Sequence, residues 1–231
     1  MKRLYADVGV ETVEGGFGIS LDGKPIRTPG RRLLAVPTRA LAEGIAAEWR
    51  AQGTSVRPET MPLMQLAATV LDHLAIHRAE VEPVVVRFAE TDLVCYRADQ
   101  PPELVRRQRA AWEPLLDWLA ETYGARLAVT VGVLPVSQPK EAISALARAV
   151  ADRDDWRLCA LQSAVASAGS LVVGLALVEG RIDAARAFDA AEIDETYEIS
   201  RWGEDEAAAE RRARVAADLT AARRFRDLLD G

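Results

Sequence analysis

Histidine and cysteine are scarce in this chain, with two of each in 231 residues. Cys95 and Cys159 lie far apart among apolar neighbours, which excludes a disulfide framework and a paired-cysteine zinc or redox site and fits a reducing compartment. His73 and His77 have the spacing that puts two imidazoles on one helix face, yet no cysteine or third histidine completes a metal site. They read as surface residues, and no metal or other cofactor is expected. A basic excess is also missing. The net charge is −6 and the pI near 5.2, whereas phosphate neutralisation needs a basic face, so nucleic acid is not an expected partner. No GxSxG surrounds a serine, and both histidines lie far upstream of Ser163, Ser167 and Ser170, so a Ser/His/Asp triad is not on offer. Gly15-Gly16-Phe17-Gly18 lacks the spacing of either phosphate-binding loop and joins two strands, so nothing supports nucleotide consumption. Residues 1–10 have no apolar signal core and no Arg/Ser-rich leader and read directly as a strand. The expected location is a bacterial cytoplasm.

What is present is ordinary globular composition, 49% apolar and 28% charged. One stretch stands out: from Leu158 to Val178 there is no charge, and Leu, Val, Ala, Gly and Ser fill the sequence. A helix apolar on every side must be surrounded, by lipid or by protein. Its flanks are mixed in sign and no second comparable span exists, so it is read as one central helix buried among others, without stable membrane insertion. Around it the chain is expected to be α+β. A small antiparallel β-rich part ending in a helix covers residues 1–57, and a mainly helical part covers 58–231 with a short β segment near 126–136.

Local signals support that order. Leu4 to Val13, Phe17 to Leu21 and Lys24 to Arg27 are strand candidates, and Asp22-Gly23 is a strong two-residue hairpin signal. Thr38 is placed to cap a helix carrying Leu41, Ile45, Ala46 and Trp49. Further helices are expected from Leu63, over 79–90, around Trp112 and Trp118, over 141–150, from Asp183 to Arg201, and from Glu204 onward. Trp49, Trp112 and Trp118 are assigned to the core.

Two charge features remain. Glu90 and Asp92 stand near Arg97, a set that could do acid/base work in a cleft if burial separated the carboxyl pKa values; helix capping and an ion pair with Arg97 explain the same residues. Between Asp189 and Glu210 there are nine acids and one base, Arg201, after which the chain turns basic from Arg211. The helix dipole accounts for Glu204, Asp205 and Glu206 at a helix start, but not for Glu192 to Glu198 at the end of the preceding one. Acids beside Tyr197 and Trp202 fit a face for a basic or mixed partner surface.

Several stretches, taken together, resemble the family of ATP synthase assembly chaperones that hold the α subunit of the soluble catalytic sector before the ring forms. They are Leu21-Asp22-Gly23-Lys24-Pro25-Ile26-Arg27-Thr28-Pro29, Val36-Pro37-Thr38 with Leu41-Ala42, Ala47-Glu48-Trp49 with Gln52, and Thr60-Met61-Pro62-Leu63. Glu90 to Arg97, Trp112-Glu113-Pro114-Leu115-Leu116-Asp117-Trp118, Gly169-Ser170-Leu171 with Ala176, Asp194-Glu195 and Trp202-Gly203-Glu204-Asp205-Glu206 follow in order. The chain departs from the family at Tyr197-Glu198, where a Trp-Gln pair is usual, and at Ala168, where a Thr is common. The resemblance implies a non-enzymatic, ATP-independent chaperone that binds the α subunit and prevents its aggregation, and a monomer is expected. Eukaryotic relatives would act in the mitochondrial matrix. Glu195, Tyr197, Trp202, Glu204, Asp205 and Glu206 are the expected partner-binding residues, and an enzyme using Glu90, Asp92 and Arg97 is the competing reading.

Overall fold

Val8–Val13 (β1) and Gly16–Leu21 (β2) pair antiparallel from Val8↔Leu21 to Val13↔Gly16. The tight reversal between them places Gly15 at φ +87°. Asp22 (φ 50°) and Gly23 (φ 74°) then form the left-handed pair that a two-residue hairpin requires and lead into Lys24–Pro25 (β3). The Asp22 carboxylate also accepts from the backbone N–H groups of Ala6 and Asp7, at 3.0 and 2.8 Å. Ala35–Val36 (β4) pairs with β2 at Phe17 and Gly18. Val8, Ile19, Ile26, Leu34 and Val36 are buried, and the helix Arg39–Arg50 (α1) adds Leu41, Ala42, Ile45 and Ala46 to that core. Thr38 caps α1 by accepting from Leu41 N–H at 3.1 Å.

The computed structural model describes residues 2–231. Beyond α1 a short 3₁₀ turn, Pro58–Thr60, precedes Pro62–Thr69 (α2), a π-helical turn at Val70–Leu74 and Ala75–Arg87 (α3), which bends at His77. Two 3₁₀ turns, Phe88–Thr91 and Leu93–Cys95, lead to Tyr96–Arg97 (β5). Then come Pro102–Tyr123 (α4), Thr130–Val131 (β6), Lys140–Ala151 (α5), Asp155–Ala168 (α6) and Leu171–Val178 (α7). Ala184–Ala191 (α8), Ile193–Trp202 (α9) and Glu206–Asp227 (α10) complete the chain.

These elements form two units. The first contains the chain up to Arg78, with Asp155–Ala160 and Arg224–Gly231. Its helical core includes Leu63, Leu74, Leu158 and Phe225, the last stacked on Trp156 with ring centroids 6.1 Å apart. The second contains Ala79–Asp154 and Leu161–Arg223. All of α7 is buried in it, and Trp112, on α4, is fully buried with its indole N–H donating to the Ala190 carbonyl at 2.8 Å. The fold is α+β, as expected, and no helix among the described residues is long and apolar enough to cross a membrane.

Three local expectations need correction. The apolar run Leu158 to Val178 is buried but is two helices. Gly169, at φ +65°, ends α6, and Ser170 caps α7 by accepting from Val173 N–H at 3.0 Å. The two helices approach so closely that a Cβ on Gly174 would lie 2.5 Å from the Val165 side chain. The helix expected from Asp183 to Arg201 divides at Glu192 into α8 and α9. The short β segment expected near 126–136 is present as Thr130–Val131, paired parallel with β5 in a two-stranded sheet of its own. Trp49 and Trp118 are half-buried rather than core, leaving Trp112 as the fully buried one of the three.

Candidate functional site

Most stretches that carry the family resemblance turn out to be joints of the fold. Glu48, buried on α1, accepts from the N–H groups of Leu63 and Met64 at 2.8 and 2.9 Å and so caps the start of α2. Burial raises its pKa, opposed by those two bonds. Gln52 bridges Thr60 Oγ1 and the Arg57 N–H at 3.1 and 2.7 Å. Thr28 donates to Asp72 at 2.6 Å, and Asp72 also accepts from Gly30 N–H at 2.8 Å.

The proposed acid/base set is not assembled. Asp92 is fully buried: one carboxylate oxygen accepts from Ser170 Oγ at 2.6 Å and Val94 N–H at 3.2 Å, the other from Val172 N–H at 3.1 Å. It therefore holds the start of α7 and the turn Leu93–Cys95 together. Burial pushes its pKa up to about 6, against the lowering effect of these bonds. Arg97 lies over the Trp112 ring at 5.1 Å and donates to the Gln108 carbonyl at 3.1 Å, and burial lowers its pKa. Glu90 is exposed. His73 and His77 stack with ring centroids 4.8 Å apart, and no group of three or more metal-ligating side chains occurs among the described residues.

The acidic stretch has two halves. In the first, Glu192 is buried and accepts from Arg211 at 2.9 and 2.8 Å and from Arg212 at 3.2 Å. Asp194 accepts from Gln108 Nε2 at 2.7 Å, and Glu195, half-buried, stands 3.8 Å from Arg211. Tyr197 is 6% exposed; its ring faces the Arg107 and Arg201 guanidiniums, and its hydroxyl accepts from Arg201 at 2.9 Å. In the second half the chain comes out into solvent. Trp202, the last residue of α9, is 79% exposed, and Gly203, at φ +85°, ends the helix. Glu204 pairs with Arg212 Nε at 3.1 Å, and Asp205 accepts from Ala208 N–H at 2.8 Å at the start of α10. Glu206 is exposed.

Glu195 and Glu204 thus converge on the Arg211-Arg212 pair, Tyr197 sits below the surface, and Trp202, Asp205 and Glu206 form an exposed apolar and acidic corner. The two arginines and their buried partner Glu192 are the residues that sequence reasoning did not place. Their only trace was the abrupt switch from acid to base at Arg211.

The family model for the ATP12 chaperone protein matches residues 2–120. The mitochondrial protein atp12 of Schizosaccharomyces pombe is 24% identical over 214 residues, covering 87% of this chain and 74% of that one. The crystal structure of Atp12 from Paracoccus denitrificans superposes with a TM-score of 0.94 at 40% identity, covering 99% of this chain and 98% of that one. The Atu1473 protein of Agrobacterium tumefaciens gives the same TM-score at 42% identity, over 99% of this chain and 86% of that one. With the match running through both units, the chain belongs to the ATP12 chaperone family, the assembly-chaperone family to which its motifs point.

Proposed function

We propose that this protein is an ATP-independent chaperone for assembly of the soluble catalytic sector of ATP synthase, binding the unassembled α subunit and preventing its aggregation. The observation that carries the reading is Trp202: a large aromatic side chain 79% exposed, with no intramolecular burial to explain it, beside the exposed acids Asp205 and Glu206. Aromatic anchors ringed by polar groups are the usual centre of a protein interface. A ring subunit exposes interface surface before its neighbour arrives, and such surface aggregates. A holder that must later be displaced is best served by a mixed apolar and charged contact rather than a dry one. In this arrangement Trp202 is the anchor, Glu204, Asp205 and Glu206 supply the acidic rim, and Glu195 and Tyr197 support α9 from the side and below. The protein acts as a monomer in the cytoplasm, without a metal or cofactor.

The test is light scattering of the cognate α subunit diluted from denaturant, without nucleotide. Suppression should saturate at an equimolar amount and be absent for an unrelated aggregating protein. Glu206→Lys should weaken suppression, whereas Glu204 is tied to Arg212 and its reversal also perturbs the fold. Full aggregation in the presence of folded protein rejects the reading.

A further inference from the structure

Where α4 meets α8, through the Trp112 indole N–H on the Ala190 carbonyl, a cleft of about 320 Å³ opens beside the contact. That is the small end of the range of ligand sites, about 300 to 1,000 Å³. Its floor is apolar and buried, with Leu115 from α4 and Ala190 from α8. The facing turn is held in place. Arg181 N–H and Ile182 N–H both donate to the Ala176 carbonyl, at 2.9 and 3.2 Å, and the Arg223 guanidinium donates to the Ile182 carbonyl at 3.2 Å. A cleft fixed in this way costs a ligand little reorganisation.

Three groups bordering the cleft select the chemistry of a ligand. Two are the guanidiniums of Arg181 and Arg186, exposed at the rim, neither of which has a side-chain partner among the described residues. Elsewhere in the same unit Arg153, Arg201, Arg211 and Arg212 all pair with carboxylates. The third is a backbone carbonyl. Pro114 stands in the interior of α4 without an N–H, so the carbonyl four residues earlier, on the exposed Ala110, loses its helix donor. Ala110 and Pro114 both line the cleft. Two cations and one acceptor thus surround a small apolar hollow. The rim also carries one carboxylate, Asp189, which pairs with neither arginine.

We propose that this cleft binds an acidic, extended segment of the unassembled α subunit: one carboxylate settles on Arg181 and Arg186, a main-chain N–H donates to the Ala110 carbonyl, and an apolar side chain covers Leu115. The inference rests on the holder reading above. A free phosphate is the poorer occupant, because it leaves the apolar floor uncovered and brings about two negative charges toward Asp189. A peptide brings one carboxylate, and its backbone and side chains supply the N–H and the apolar group as well. The cleft and the corner around Trp202 belong to the same unit and carry opposite charge. Contacts of opposite sign fix the orientation of a bound subunit, which a patch of one sign does not.

Calorimetric titration of the full chain with cognate α subunit, at fixed ionic strength, tests this. Arg181→Glu/Arg186→Glu should weaken binding about tenfold or more. Circular dichroism and urea midpoint should stay unchanged, because neither side chain has an intramolecular partner. Arg32→Glu/Arg126→Glu makes the same change of net charge at exposed positions outside the cleft and should stay within about twofold of the parent. Pro114→Ala separates site from scaffold. By returning an N–H to the Ala110 carbonyl it should raise the urea midpoint and yet weaken binding about threefold, the worth of one hydrogen bond. Unchanged binding by Arg181→Glu/Arg186→Glu, or an equal loss in both double variants, overturns the cleft contact and leaves the holder reading intact. If the cleft variant binds the α subunit as the parent does but has lost an affinity for inorganic phosphate that the parent shows, the cleft is a small-anion site and the peptide is overturned as its occupant. Unchanged binding by Pro114→Ala overturns the carbonyl contact. Failure of the parent protein to bind the α subunit overturns the holder reading and this inference with it.

Discussion

Glu192 and Glu206 belong to one acidic stretch, yet their surroundings are opposite. Glu192 is buried under two guanidiniums, with its side chain 7% exposed, and Arg212, one of the two, is itself only 15% exposed. Glu206 stands in solvent on the first turn of α10. The inner acid organises the junction of α8, α9 and α10; the outer one is available to a partner. Charge density along a sequence therefore says little about charge available at a surface, since half of an acidic run can be neutralised from within. The same contrast holds for other acids of the family motifs. Glu48 and Asp92 are buried helix caps, whereas Asp205 and Glu206 are exposed.

The sharpest way to break this contrast is to empty the inner site. Glu192→Ala takes from Arg212 its buried carboxylate and leaves it only the more exposed Glu204, and loss of one partner of a buried pair costs up to about 3 kcal/mol. Urea unfolding should reveal that loss, and Glu192→Gln, which keeps an acceptor, should recover part of it. If Glu192→Ala unfolds at the midpoint of the parent protein, the inner acid is no more structural than the outer ones.

A smaller effect distinguishes buried caps by pH. Burial moves the Asp92 carboxyl from its ordinary 3.8 to about 6, so the folded chain binds this proton more tightly than the unfolded chain does. Its contribution to stability is therefore present in full below the unfolded value and is lost as pH rises through about 6. Between pH 7 and pH 5 the gain attributable to this single group is about 1 kcal/mol. Asp92→Asn should remove that increment from the difference in urea midpoint between the two pH values. An increment that persists in the variant would assign it to other groups.

The legible parts of the fold were those fixed by a few neighbouring residues. Asp22-Gly23 and Thr38 declared a hairpin and a cap because turn and cap chemistry are local. The break at Gly169-Ser170 was hidden because an apolar run gives no period, and two small residues there serve equally well as a packing surface or as a stop and a cap. Tertiary partners were beyond reach. Nothing near Glu192 in the sequence names Arg211 and Arg212 as its ligands, and nothing in the β-branched alternation of 126–136 says that only Thr130–Val131 will find a strand to pair with. Tryptophan was similarly ambiguous: helical spacing placed Trp49, Trp112 and Trp118 on apolar faces, but the depth of each depends on what packs above it.

Trp202 provides the finest comparison, because it sets a tryptophan at the surface against Trp112 in the core. Trp112 is fully buried and its indole N–H is bonded; Trp202 is 79% exposed on the last turn of α9, where truncation removes almost no intramolecular contact. Trp202→Ala should change the free energy of unfolding by no more than about 0.5 kcal/mol, the range of ordinary surface substitutions. An interface anchor behaves differently when its partner is present, and truncation of one commonly costs about 2 kcal/mol of binding. Titration of the cognate α subunit by isothermal calorimetry should therefore show an affinity loss of more than tenfold for Trp202→Ala at unchanged stability. Equal affinity would remove the aromatic anchor from the binding face and leave only its acids. A large loss of stability would mean that Trp202 packs in the protein much as Trp112 does.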